Sequence, residues 1–169
     1  MAKKKKEGEN IRIIKGDIFD TKCQTIVNPI NCGGTMNKGI GSVLKKRYKK
    51  YSAHYDYICK NSLIKFGILW LYEVEDWWIL SFPTKQNAKT NAKIEDIEKG
   101  LDKFVLKYKE KGIESIAFPL LDDKIEQETL LTLMMTKLSK CDIPIEIYIP
   151  ISEEEKKLTH KGEQLQLWT

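Results

Sequence analysis

The spacing of apolar residues between positions 94 and 111 constrains the fold more than any other stretch of this sequence. Ile94, Ile97, Leu101, Phe104, Val105 and Tyr108 recur at intervals of three and four, and Gly112 stops the run. One face of a long helix must therefore be buried. Its sequence neighbours say against what. Short runs rich in β-branched and aromatic residues occur at 11–15, 24–27, 67–74, 77–81, 115–119 and 143–149, and these read as strands. Gly16-Asp17 ends the first and Asn28-Pro29 the second; Glu75-Asp76 joins the third and fourth as a hairpin. The last alternates apolar and polar residues behind Pro144, the pattern of an edge strand. Further helices are expected at 40–48, 52–61 and 126–139, with a loop at 83–93. Strands interleaved with helices predict an α/β layer sandwich rather than a bundle or an all-β fold.

Length and composition limit the rest. A chain of 169 residues, 41% hydrophobic and 31% charged, suits one globular domain over 1–169. It has no internal repeat and no linker. Residues 1–9 are expected to be a flexible Lys-rich start, and 152–169 a charged tail that Leu165, Leu167 and Trp168 are candidates to dock back onto the body. The start lacks the apolar core of a secretory signal, and no run approaches the ~20 apolar residues that span a bilayer. Four cysteines without a CxxC pair, and only two histidines, argue against a metal site and for a reduced, intracellular protein. The expectation is a cytoplasmic monomer that works away from membranes. The formal charge of +5 suits a polyanionic partner such as nucleic acid or a pyrophosphate, but only a clustered patch would carry meaning.

Chemistry concentrates between Asn31 and Gly41. Glycines at 33, 34, 39 and 41 lie between a strand and a helix. There they permit close backbone approach to a ligand, and the helix start offers free N–H groups to an anion. The loop matches neither GxGxxG nor the Walker pattern, which disfavours an NAD dehydrogenase or a nucleotide triphosphatase. On local grounds alone it is either a phosphate cradle or a plain glycine-rich connection.

Three segments in order, 16–19 (GDIF), 26–31 (IVNPIN) and 34–40 (GTMNKGI), resemble the opening of macrodomains. The likeness continues through 79–85 (ILSFPTK), 94–101 (IEDIEKGL) and 113–119 (IESIAFP), so it spans roughly residues 10–150. Within that family it is nearest to the DarG antitoxin and terminal ADP-ribose glycohydrolase types. The resemblance implies a three-layer α/β/α sandwich around a mixed, mostly parallel sheet of about six strands. It also implies a pocket for ADP-ribose, or for an ADP-ribosylated substrate that includes nucleic acid, with no cofactor.

Roles follow by position. Asp17 matches the residue that accepts from the adenine amino group, with the Ile18 backbone beside it; by itself it reads as a carboxylate closing the turn after Gly16. Asn31 matches the amide that orients the distal ribose; otherwise it is a strand-end cap. Gly34, Thr35, Met36, Asn37, Lys38, Gly39 and Ile40 match the first ligand loop, and Asn28, Gly33 and Leu121 complete the expected ligand-binding set. Lys85 matches a lysine implicated in removing ADP-ribose from its acceptor, as a nucleophile or as a cation holding substrate oxygens.

One departure stands out. Macrodomains of this kind follow the second Phe-Pro strand with a glycine-rich loop that wraps the pyrophosphate. Here the chain continues Leu120-Leu-Asp-Asp-Lys-Ile-Glu, with no glycine between Gly112 and Gly162. The shortened loop sets two carboxylates where phosphate should lie. It also brings Asp122, or as second candidate Asp123, to the place of a catalytic Asp, as general acid or base beside Lys85. The plainer reading of Asp122 is a helix N-cap. The expected activity is thus ADP-ribosyl hydrolysis, with non-catalytic ADP-ribose binding as the alternative.

Overall fold

The computed structural model describes residues 6–158. Along the chain lie β1 (Ile11–Lys15), β2 (Thr25–Asn31), α1 (Gly39–Arg47), α2 (Lys49–Lys60), β3 (Trp70–Val74), β4 (Trp77–Lys85), α3 (Ile94–Lys107), β5 (Ile116–Pro119), α4 (Gln127–Leu138) and β6 (Ile145–Ile149). A 3-10 turn, Ile18–Asp20, follows β1. The strands form one sheet in the order β1-β6-β5-β2-β4-β3, parallel except for the β3–β4 hairpin.

Side-chain alternation on the central strands builds a core on each face. Ile30 of β2 and Ile79 of β4 pack with Leu44, Tyr51, Tyr55 and Ile58 from α1 and α2. Val27, Leu80 and Phe82 point the other way, into a larger core with Ile97, Leu101 and Phe104 of α3 and Leu130, Met134 and Leu138 of α4. The result is the expected α/β/α sandwich. Contact is closest where α3 crosses β4: a Cβ on Gly100 would lie 2.3 Å from the Phe82 ring. Only glycine fits there.

Three sequence expectations are corrected. First, β2 does not stop at Asn28-Pro29 but runs on to Asn31, paired with β4 throughout. Its odd-numbered positions turn their polar groups toward β5, as Thr25 N–H does in donating to Ser115 O at 3.2 Å. Pro29 therefore has its missing N–H on the β5 side, where pairing between the two strands is limited to Thr25 and Ile26, so no ladder bond is lost. For the same reason β4 runs on to Lys85 through Pro83.

Second, β6 is not an edge strand; it lies between β1 and β5. Its polar position, Glu146, suggested solvent but is tucked against Thr21, Cys23 and Tyr148, all of which donate to it. Burial alone would raise the Glu146 pKa; those bonds and the Arg12 charge outweigh it, and the value falls. Third, α2 begins at Lys49 rather than Ser52. The tail residues Leu165, Leu167 and Trp168 lie outside the described residues. Among the described residues no helix is long and apolar enough to cross a membrane.

Candidate functional site

The sheet itself opens the cleft. β2 leads into α1 on one face and β5 leads into α4 on the other. Neighbouring parallel strands whose continuations depart to opposite faces leave a crevice at their carboxyl ends. β5 holds to β6 as far as Pro119–Tyr148, and Leu120 N–H then bonds Tyr148 O at 3.3 Å. It thus leans away from the distal half of β2, and a hollow of about 500 Å³ remains. A second hollow of about 420 Å³ shares Ile40, Pro119, Leu120, Asp122 and Asp123 with the first, making one elongated groove. That size suits a nucleotide-like ligand.

The first rim of the groove comes from β2 and α1. Asn28, Asn31, Thr35, Met36, Asn37, Lys38, Gly39 and Ile40 all line the main hollow. The start of α1 carries no side-chain cap, which leaves the first-turn amides free at the groove. Gly39 takes φ +59° with open space around it, so backbone conformation is what requires glycine.

Asn31, 6% exposed, organises the rim. Its amide donates to Thr35 O at 2.8 Å and accepts from Gly33 N–H at 3.0 Å, while Tyr55 OH donates to its backbone O at 3.0 Å. Burial pushes the Tyr55 phenol far above its ordinary pKa, which keeps it a donor. Beneath lies a fully buried polar chain: Asn28 Nδ2 donates to Tyr51 OH at 2.8 Å, and Tyr51 OH meets Ser81 Oγ at 2.6 Å. Among the described residues Asn28 Oδ1 has no hydrogen-bond partner.

Gly33 and Gly34, expected in the ligand set, sit behind the rim rather than on the main hollow. At Gly34, φ is +85° and a Cβ would come within 2.7 Å of Cys59 Sγ. Its role is to let the loop cross α2. Met36 lines the hollow but is mostly buried in the α1/α2 core.

The second rim comes from β5 and the segment before α4. Pro119, Leu120, Leu121, Asp122, Asp123 and Lys124 line the hollow from this side. No residue between Pro119 and Gln127 has positive φ, so the glycine-free stretch is unstrained and simply short. Leu121 is 1% exposed and packs into the larger core, leaving its backbone to face the groove. Asp122 is not the cap of α4, whose N-cap is Glu126. Its Oδ2 instead accepts from Lys124 N–H at 2.9 Å and Ile125 N–H at 2.8 Å, closing a separate turn and fixing the carboxylate at the groove.

Lys85 lines the main hollow from the end of β4, opposite Asn31 in register. Its backbone O accepts from Cys32 N–H at 3.0 Å, and among the described residues no carboxylate pairs with its ammonium. Asp17 and Ile18 border the second hollow; Asp17 Oδ1 accepts from Phe19 N–H at 2.9 Å, capping the 3-10 turn. Sequence reasoning missed Thr84 and Ala88, which also line the main hollow. For Thr84 the register of β4 past Pro83 was the available signal. Among the described residues no cluster of His, Cys, Asp or Glu offers a metal-binding set.

A family model described as Macro domain matches residues 27–127. The chain is 30% identical over 167 residues to a "DNA ADP-ribosyl transferase-DNA ADP-ribosyl glycohydrolase fusion protein" of Thermosipho africanus, covering 86% of this chain and 43% of that protein. It is 30% identical over 108 residues to a "DNA ADP-ribosyl glycohydrolase" of Mycobacterium tuberculosis, covering 62% and 31%. The chain thus spans less than half the length of these curated relatives. Among solved structures it is similar to Thermosipho africanus DarTG in complex with ADP-ribose, at TM-score 0.80 and 32% identity over 85% of this chain and 42% of that one. The Mycobacterium tuberculosis DarG macrodomain gives TM-score 0.78 and 27% identity over 84% and 98%.

Proposed function

Since the chain belongs to the Macro domain family, we propose that it is an ADP-ribosyl glycohydrolase of the DarG kind, which removes ADP-ribose from a modified DNA acceptor. One observation carries this reading: Lys85 and Asp122, 37 positions apart in a 169-residue chain, line the same groove as the uncapped start of α1. The α1 amides suit a diphosphate. Asp17 and Ile18, at the far end, suit the adenine. The distal ribose then lies near Asn31 and Lys85.

Cleaving the glycosidic bond builds positive charge on the anomeric carbon and leaves the acceptor in need of a proton, while water supplies the new C–O bond. Asp122 Oδ1, free of the turn that holds Oδ2, serves as the general acid or base. Lys85 either attacks the anomeric carbon or holds substrate oxygens as a cation. DNA is the acceptor named for the relatives. Four free thiols agree with a reducing, cytoplasmic setting, and the reading extends to a monomer that needs neither cofactor nor membrane. Incubation with an ADP-ribosylated oligonucleotide tests the proposal: the wild type releases ADP-ribose, and background release equal to that of Lys85→Ala refutes it.

The glycine-free second rim favours one other reading, a module that holds ADP-ribose without cleaving it. Calorimetry separates the two when run beside the release assay. Binding heat with no release would support the holding module; no heat at millimolar ADP-ribose would exclude it.

A further inference from the structure

Residues 38–55 hold six cations, Lys38, Lys45, Lys46, Arg47, Lys49 and Lys50, and no carboxylate. That exceeds the formal excess of +5 for the whole chain, so the rest of the molecule is close to neutral. All six side chains are exposed, and none is ion-paired among the described residues. Some cations elsewhere do find partners, among them Lys15 with Glu155, Lys109 with Asp142, and Lys137 with both Glu98 and Asp102; what sets the ridge apart is five cations within six positions and no carboxylate among them.

Local structure accounts for only part of this cluster. Lys45, Lys46 and Arg47 occupy the last turn of α1, where the helix dipole favours cations. Lys49 and Lys50 occupy the first turn of α2, where it opposes them, and that turn has neither an acidic residue nor a side-chain cap. Arg47 lies with its guanidinium 5.2 Å from the centre of the Phe19 ring. The ridge is also joined to the groove. α1 begins beside Lys38 at the main hollow and ends at Arg47, a helix length of only ~12 Å.

We infer that the exposed corner between α1 and α2 is a nucleic-acid track: the phosphodiester backbone of the modified strand runs over Lys45, Lys46, Arg47, Lys49 and Lys50 while the ADP-ribosylated base presents its adduct to the groove. The choice of a nucleic acid over another polyanion rests on the proposed function. The surface needs no sequence specificity, because phosphate contacts position a strand without reading it.

Fluorescence anisotropy with an unmodified single-stranded DNA oligonucleotide, across a salt series, tests this without any hydrolysis. The variant Lys45→Gln/Lys46→Gln/Lys49→Gln/Lys50→Gln should bind about tenfold or more weakly at low salt. Its slope of log affinity against log salt should be shallower by about 2–3. A control with the same charge change elsewhere, Lys65→Gln/Lys103→Gln/Lys111→Gln/Lys140→Gln, should bind within about twofold of wild type by the same counting of phosphate contacts. Both variants should keep wild-type Tm and wild-type affinity for free ADP-ribose.

Equal losses in the two variants, no binding by the wild type, or tighter binding to phosphatidylserine vesicles than to the oligonucleotide would overturn the inference. DNA binding through the ridge in a protein that releases no ADP-ribose would sink the proposed function and leave this one standing.

Discussion

The two rims of the groove are built in opposite ways. The first, from Asn31 to Gly41, is glycine-rich and shaped from behind by hydrogen bonds of Asn31 and Tyr55, and it offers bare amides of an uncapped helix. The second, from Pro119 to Lys124, has no glycine and no positive φ, and it places Asp122 and Asp123 at the groove. Backbone amides attract a diphosphate wherever it shifts along the rim; carboxylates repel it unless their charge has another task. Under the proposed function, the difference would give binding to the first rim and, through Asp122, chemistry to the second.

The strongest challenge to that division is Lys85→Ala, at the end of the strand zipped to the first rim. ADP-ribose release should fall at least about a hundredfold, as for loss of a group acting at the reacting bond, with ADP-ribose affinity within about threefold. Single-turnover kinetics beside calorimetry reads both. Next comes Asp122→Asn. Release should drop about tenfold to a hundredfold with KM little changed, since an amide oxygen can still close the turn. A fall in Tm with release intact would return Asp122 to a purely structural role.

Gly34→Val attacks the first rim from behind, through its positive φ and the Cys59 sulfur. Strain of about 1–3 kcal/mol should lower Tm and weaken ADP-ribose roughly tenfold by calorimetry. Asp123→Asn should move the other way, tightening ADP-ribose about two- to threefold at low salt, with the gain fading as salt rises.

The smallest effect concerns the supports of the rims. α2, behind the first, carries His54, whose Nε2 is buried with no hydrogen-bond partner among the described residues and whose pKa burial lowers below 6.5. The unfolded chain takes up a proton there before the folded one. Stability is therefore full above about pH 6.5 and declines as pH falls through the lowered value. Urea titrations at pH 7 and 5.5 should show the decline in wild type and a reduced decline in His54→Phe.

The layer order was legible in the sequence because it depends on periodicity. The spacing of Ile97, Leu101 and Phe104 and the β-branched runs each state a local preference that the sheet satisfies. What was not legible depends on pairing partners. Pro29 reads as a strand end until β5 is seen to part from β2 on that side. Glu146 reads as an edge residue until Thr21, Cys23 and Tyr148 gather around it.

The groove was legible to the same degree. The glycine pattern and the family resemblance pointed to Asn31, Lys85 and Asp122, all of which line it. Neither could show that Asn31 is already bonded to its own loop, or that Asp122 closes a turn of its own ahead of α4. Those are facts of three-dimensional neighbourhood, and the helical spacing of α2 gives no hint that Tyr51 and Tyr55 reach under the loop.

A crystal structure with ADP-ribose bound bears most directly on the division between the rims. The account predicts the diphosphate against the amides at the start of α1, the distal ribose between Asn31 and Lys85, and Asp122 near the anomeric carbon. A diphosphate held instead by the segment from Leu120 to Lys124, with the α1 amides facing solvent, would contradict it.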